Sequence, residues 1–148
     1  QELHGSVWIA NFIFTRCAGQ CPLLTAQMAT LQQMFTGSPH LRFVSFSVDP
    51  VYDTPAVLAT YAAQVGAKTP QWQFVTGEQD EIFQLAREGF RLGVSEDGSA
   101  AEPITHSVRL VLVDRAGRIR GFYDATEAAA MTRLEHDLRH LLQATGAV

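Results

Sequence analysis

Basic charge is scarce in this chain: eleven Lys and Arg stand against fifteen Asp and Glu in 148 residues, and no basic run exceeds two residues. Neither a phosphate backbone nor an anionic lipid surface would find an electrostatic footprint, so nucleic acid is not an expected partner. Long apolar runs are missing too. The most hydrophobic stretch, Val7 to Phe14, has the length of a strand and falls short of the roughly 18 residues that a membrane-spanning helix needs. Cysteine is limited to Cys17 and Cys21, too few for a disulfide-stapled scaffold. No repeat or low-complexity tract interrupts the chain, and Gly and Pro sit singly between periodic segments. What is present, 47% hydrophobic and 18% charged residues with a net charge of −4, describes one globular domain over residues 1–148. A chain of this length buries roughly two-thirds of its unfolded surface, so its core needs no metal or disulfide to hold. Any metal or disulfide here is free to be functional. Numbering opens at Gln1 without a Met and a core strand begins at Val7, so a preceding signal peptide or membrane anchor is expected.

The nearly continuous apolar run Val7 to Phe14 predicts a central parallel strand covered on both faces. Leu24, Met28, Leu31 and Phe35 recur at helical spacing, which predicts a helix over Pro22 to Phe35 with its proline in the first turn. Leu41 to Val48 reads as a second strand, parallel to the first by right-handed crossover. Thr54 is placed to cap a helix from Pro55 to about Val65. Trp72 to Val75 is a short strand and Glu78 to Phe90 a helix with Ile82, Phe83, Leu85 and Ala86 inward. Arg91 to Thr105 is the longest loop. Val108 to Val113 and Arg118 to Tyr123 form a hairpin around the turn Asp114 to Gly117. A last helix carries Leu134, Leu138, Leu141 and Leu142 on one stripe. The order β-α-β-α-β-α-β-β-α is that of an α/β thioredoxin-like fold, a mixed central sheet with flanking helices and one inserted strand–helix element.

Open sheets of this kind bind ligands outside the carboxyl ends of their strands. The segment there is Thr15-Arg16-Cys17-Ala18-Gly19-Gln20-Cys21-Pro22. Cysteines at i and i+4 around a helix start lie on one face with Cα atoms roughly 6 Å apart, so the pair can bridge or chelate. Free N–H groups and the positive end of the helix dipole favour thiolate, which both roles need. Cys21 shares the phase of Leu24 and Met28 and should be the more buried; Cys17 should be the one a partner reaches. The bland alternative is two inert buried thiols or a plain disulfide. Two thiolates select soft ions such as Cu(I) and zinc, and an added imidazole also suits Cu(II). Of the five histidines, His136 and His140 lie opposite the leucine stripe, and His4 and His40 read as surface residues. His106 precedes the strand Val108 to Val113, in the segment that this fold sets against the helix start, although a lone histidine at a strand edge is more often structural. Asp49 follows the second strand and either orients His106 or Arg16 or caps its own turn.

These residues resemble the Sco/SenC family, copper-handling relatives of thioredoxin that help assemble the copper centre of cytochrome c oxidase. Phe12-Ile13-Phe14-Thr15-Arg16-Cys17-Ala18-Gly19-Gln20-Cys21-Pro22 is similar to the family's F-x-F-T-x-C-x-x-x-C-P signature. Ser47-Val48-Asp49-Pro50-Val51-Tyr52-Asp53-Thr54-Pro55 is similar to its S-V-D-P-x-x-D-T-P segment, and Thr105-His106-Ser107 to its histidine loop. Ala18-Gly19-Gln20 lack the proline and acidic residue often seen between the cysteines, and Thr105 stands where an aspartate commonly precedes the histidine. The resemblance implies copper, as Cu(I) or Cu(II), on Cys17, Cys21 and His106, with Asp49 as an auxiliary carboxylate. It implies as partner the copper-bearing subunit of cytochrome c oxidase, with other periplasmic copper carriers open. It implies a domain tethered by an N-terminal helix on the periplasmic side of the bacterial inner membrane or in the mitochondrial intermembrane space.

Two functions from different classes follow. One is a copper chaperone that passes its ion by stepwise ligand exchange. The other is a thiol–disulfide reductase in which Cys17 attacks and Cys21 resolves, keeping oxidase cysteines reduced. His106 separates them, because a reductase tolerates its loss and a three-ligand copper site does not. A peroxidase reading is weaker, since the run before Cys17 lacks the Pro-x-x-x-Thr-x-x-Cys spacing of peroxiredoxins. A redox or copper sensor is a further possibility that sequence does not separate.

Overall fold

The computed structural model describes residues 5–13, 21–35, 40–47, 52–67, 71–84 and 109–146. Its elements run in the expected order: β1 (Val7–Ile13), α1 (Cys21–Met34), β2 (Leu41–Ser47), α2 (Pro55–Val65), β3 (Trp72–Val75), α3 (Gln79–Gln84), β4 (Arg109–Val113), β5 (Ile119–Asp124) and α4 (Ala128–Gly146). One five-stranded sheet takes the order β3-β2-β1-β4-β5. β1, β2 and β3 are parallel neighbours, and β4 runs antiparallel to both β1 and β5.

Alternation along the central strands sorts the core into two layers. On one face Val7 and Ile9 of β1, with Leu41 and Phe43 of β2, pack against Leu24, Met28 and Leu31 of α1 and Leu134 and Leu138 of α4. On the other, Ala10 and Phe12 join Val44, Phe46, Val111, Val113 and Ile82 of α3. Burial on both faces is why β1 reads as an apolar run rather than an alternating one. Two successive right-handed crossovers in the same direction put α1 and α2 on the same side of the sheet. They are tied to each other there: Thr25 Oγ1 lies 3.1 Å from the Tyr61 hydroxyl, and Gln32 Nε2 donates to the Gly66 carbonyl at 3.1 Å. Thr54 caps α2 as expected, its Oγ1 accepting from Val57 N–H, and Gly66 closes the helix at φ 78°, a left-handed value that glycine takes without strain.

Several boundaries move. α1 starts one residue before the expected Pro22, at Cys21. β5 starts at Ile119 rather than Arg118, because the Arg118 N–H is taken at 2.9 Å by Asp114 Oδ1. The expected inward positions Leu85 and Ala86, and the long loop Arg91 to Thr105, lie outside the described residues, as does the side chain of Phe83.

α4 is held to β5 by a polar contact inside an apolar seam. Tyr123, 3% exposed, donates its hydroxyl proton to Asp137 Oδ2 at 2.6 Å. Gly121 makes room for that ring, since a Cβ at this position would meet the Tyr123 hydroxyl at 2.7 Å. The Tyr123 hydrogen bond, assisted by His136, holds the Asp137 carboxyl below its ordinary value of 3.8. Burial, then Asp137 itself, pushes the Tyr123 phenol up. A carboxylate depressed in the folded state contributes stability above its unfolded pKa and loses it as pH falls through the folded value. Tyr123→Phe is therefore expected to unfold about 1 kcal/mol more easily near neutrality. The gap to the parent should close in urea melts at acid pH below the ordinary carboxylate value.

Candidate metal centre

The chain leaves β1 at Ile13 and resumes at Cys21, the first residue of α1. That helix carries no acidic residue in its first turn, so none within that turn opposes the positive end of its dipole. Leu24, Thr25, Met28 and Leu31 are all at most 3% exposed. Position 21 precedes Leu24 by three residues and Thr25 by four, the spacing of that stripe.

Of the four residues singled out in the sequence, Cys17, Asp49 and His106 lie outside the described residues, as does the Cys21 side chain. What the described elements give is the place where each segment departs. Register pairs Ile13, the last residue of β1, with Ser47, the last of β2. β4 is antiparallel to β1, with Ala10 opposite Val111, so β4 begins beside the carboxyl end of β1. Asp49 is two residues past Ser47, His106 three before Arg109, and Cys17 four from both Ile13 and Cys21. Chain reach of about 3.3–3.6 Å per residue limits these tethers to roughly 7, 11 and 14 Å. Topology thus starts all the candidate donors from one edge of the sheet, the edge where open sheets carry their ligands.

The remaining histidines fall as expected where they are described. His40 is exposed, and His136 and His140 lie on the solvent side of α4. His4 lies outside the described residues. Among the described residues no group of three or more His, Cys, Asp or Glu is placed to hold a metal ion.

Sequence reasoning missed a buried polar chain beneath this edge. Trp72 Nε1 donates to Ser45 Oγ at 3.1 Å, and Ser45 Oγ donates to Asn11 Oδ1 at 2.6 Å. Asn11, Ser45 and Trp72 are each at most 1% exposed. One step nearer the strand ends, Ser47 Oγ donates at 2.7 Å to Asp53, a carboxylate with no exposed surface. The signal was available: Asn11, Ser45 and Ser47 are polar positions of one parity inside strands that are apolar elsewhere but for Arg42. An apolar strand tolerates such residues only when each finds a partner.

The sheet order, the helix that begins on a cysteine and the two-layer core define a thioredoxin-like protein with a C-x-x-x-C pair at the start of its first helix. The chain belongs to the SCO1/SenC family, which it matches over residues 1–143. It is 35% identical over 129 residues to the SCO1 protein homolog of Bacillus subtilis (strain 168), an alignment covering 86% of this chain and 66% of that one. The chain therefore spans slightly less than two thirds of that relative's length. Among solved structures it resembles BsSco, a member of the Sco family of cytochrome c oxidase assembly proteins with a disulfide switch. That likeness is 32% identity and a TM-score of 0.78, over 95% of this chain and 83% of that one. A SCO1/SenC family lipoprotein from Bacillus anthracis str. Ames matches at 30% identity and a TM-score of 0.79, with the same coverage. The copper-bound ScoI of Bradyrhizobium japonicum shares the fold at 22% identity and a TM-score of 0.69, over 91% of this chain and 87% of that one.

Proposed function

We propose that this domain carries copper as cargo for building the copper centre of cytochrome c oxidase, holding the ion on Cys17, Cys21 and His106. Asp49 serves as an outer carboxylate that orients the imidazole. The observation that carries the reading is topological: the segments bearing a dithiol, a carboxylate and an imidazole all depart from the carboxyl edge of one sheet. Membership of SCO1/SenC and a copper-bound protein of the same fold support it. Two thiolates and one imidazole suit Cu(I) and Cu(II), and three protein donors leave a position that an acceptor's ligand can occupy during transfer.

The domain, residues 1–148, is read as the extracytoplasmic part of a longer tethered chain, on the periplasmic face of a bacterial inner membrane. A lipoprotein relative of similar structure supports tethering. No helix among the described residues is long and apolar enough to cross a membrane.

The disulfide switch of BsSco favours a second use of the same pair. The Cys17 thiolate attacks a partner disulfide, forming a mixed disulfide and releasing one partner thiolate. Cys21 then attacks the Cys17 sulfur, freeing the second partner thiolate and leaving a Cys17–Cys21 disulfide, so two electrons pass to the partner. An anaerobic copper titration of the reduced protein beside His106→Ala separates the uses. The parent is expected to bind one copper and, as Cu(II), to show thiolate-to-copper charge transfer. His106→Ala should lose that site while keeping its activity towards a partner disulfide. A reduced parent that ignores copper would overturn the carrier reading and leave the reductase.

A further inference from the structure

We propose that His136 and His140 form a metal site of their own on α4, a two-imidazole chelate for a divalent transition-metal ion, Cu(II) before others. This goes beyond the carrier reading and does not rest on Cys17, Cys21 or His106. α4 is continuous from Ala128 to Gly146, and the two histidines stand one turn apart near its middle. At i and i+4 their Cβ atoms are about 5–6 Å apart on one face, the spacing at which H-x-x-x-H helices bind zinc through two imidazoles. Both residues are exposed, the His136 side chain at 83%, and so open to an ion in solution. The opposite side of the helix is anchored by Leu134 and Leu138, which have no exposed surface, so the pair stands on firmly packed backbone.

The surroundings distinguish this pair from a merely solvated face. His136 Nδ1 faces Asp137 Oδ1 at 3.5 Å, and Asp137 is itself fixed through Oδ2, which accepts the Tyr123 hydroxyl proton at 2.6 Å. A carboxylate behind one ring nitrogen is the arrangement that holds a ligating histidine in a single tautomer, with the proton on Nδ1 and the lone pair on Nε2. His140 shares a cavity of about 210 Å³ with Arg120, Tyr123 and Asp137, room for the waters that complete a coordination sphere begun by two protein donors. Positive charge, the chief obstacle to a cation here, is drawn to other partners. Arg139 pairs with Glu135 at 3.0 Å, Arg120 with Asp114 at 3.5 Å, and Arg133 lies over the Tyr123 ring, 5.9 Å from its centroid. Imidazole suits copper, zinc and nickel, and the affinity order among divalent first-row ions puts Cu(II) first.

The test titrates Cu(II) into the full chain carrying Cys17→Ser and Cys21→Ser, which has no thiolate to take the ion. One Cu(II) is expected to bind on α4, with an electron paramagnetic resonance signal split by two equatorial nitrogens. Adding His136→Gln or His140→Gln should weaken that binding about tenfold or more, because each dismantles a chelate, and leave a single nitrogen. Both positions are exposed, so neither change should move the melting temperature of the metal-free protein. Saturating Cu(II) should raise that temperature by a few degrees in the starting protein and in neither variant, since the ion binds only where the helix is formed. His40→Gln, an exposed histidine with no second histidine at helical spacing, should bind as the starting protein does. If the serine protein does not fold, the parent alkylated at both cysteines takes its place. Retained affinity in either α4 variant would overturn the proposal, as would an equal loss in His40→Gln or a starting protein that takes no Cu(II). Failure of the carrier reading leaves these outcomes untouched, since the dithiol plays no part in them.

Discussion

Trp72→Ala is expected to destabilise the domain by about 3–5 kcal/mol, the range for deleting a fully buried large aromatic side chain. At a few degrees per kcal/mol for a chain of this size, the melting temperature should fall by roughly 6–20 °C. Trp72 has no exposed surface. It stacks on Phe74 at 5.3 Å and tilts against Phe43 at 6.2 Å. It is also the first donor in the chain that runs through Ser45 to Asn11. Removing it opens a void at the β3 edge and leaves Ser45 short of a hydrogen bond. Trp72→Phe helps to weigh the two losses, because it keeps a six-membered ring at the site while giving up the N–H and a smaller part of the volume. That variant should lose about 1–2 kcal/mol. Equal melting temperatures for the two variants would show that packing is not the larger part.

The second large effect concerns the site. Cys17→Ser and Cys21→Ser are each expected to weaken copper binding by well over a hundredfold, because a hydroxyl replaces one of the three proposed protein donors and is a poor ligand for a soft ion. Asp49→Asn should cost 10- to 100-fold, the usual effect of losing a group that orients a ligand without touching the metal. Competition against a Cu(I) chelator of known affinity measures all three on one scale. An Asp49→Asn loss equal to that of the cysteine variants would make the carboxylate a ligand in its own right. Unchanged binding would make it a turn residue that caps its own segment.

Sequence reading went furthest where one physical rule dominated. Leu24, Met28, Leu31 and Phe35 are all buried because helical period alone decides which side of α1 faces a sheet. Thr54 and Pro55 marked the start of α2 because capping is local chemistry. The order of elements followed from strands and helices whose lengths and spacings allow few connections. Reading was weaker where the outcome depended on distant partners. Asn11 and Ser45 look out of place until Trp72, 27 residues past Ser45, supplies the donor that makes them tolerable. Asp53 stood out only as one position of the S-V-D-P-x-x-D-T-P resemblance, whereas the fold buries it completely against Ser47. The hairpin boundary shifted because Asp114 intercepts a backbone donor, and an irregularity between Leu112 and Val113 changes the register of β5. At the site, the cysteine spacing and the position of the helix start were legible, and the topology adds that β4, which opens three residues past His106, begins beside the carboxyl end of β1.

That antiparallel pairing has a consequence for how the molecule is made. The first strand of the chain is the middle of the sheet, and its second edge is covered by β4, more than a hundred positions downstream. As the polypeptide emerges from a ribosome or a translocation pore, β1, α1 and β2 can associate early through nearby pairing. The other flank of β1 stays unpaired until residues 109–113 arrive, and an apolar strand with an open edge invites mispairing. Completion of the sheet therefore waits on residues 109–113, and the pairing that closes the middle strand is made late in the order of synthesis.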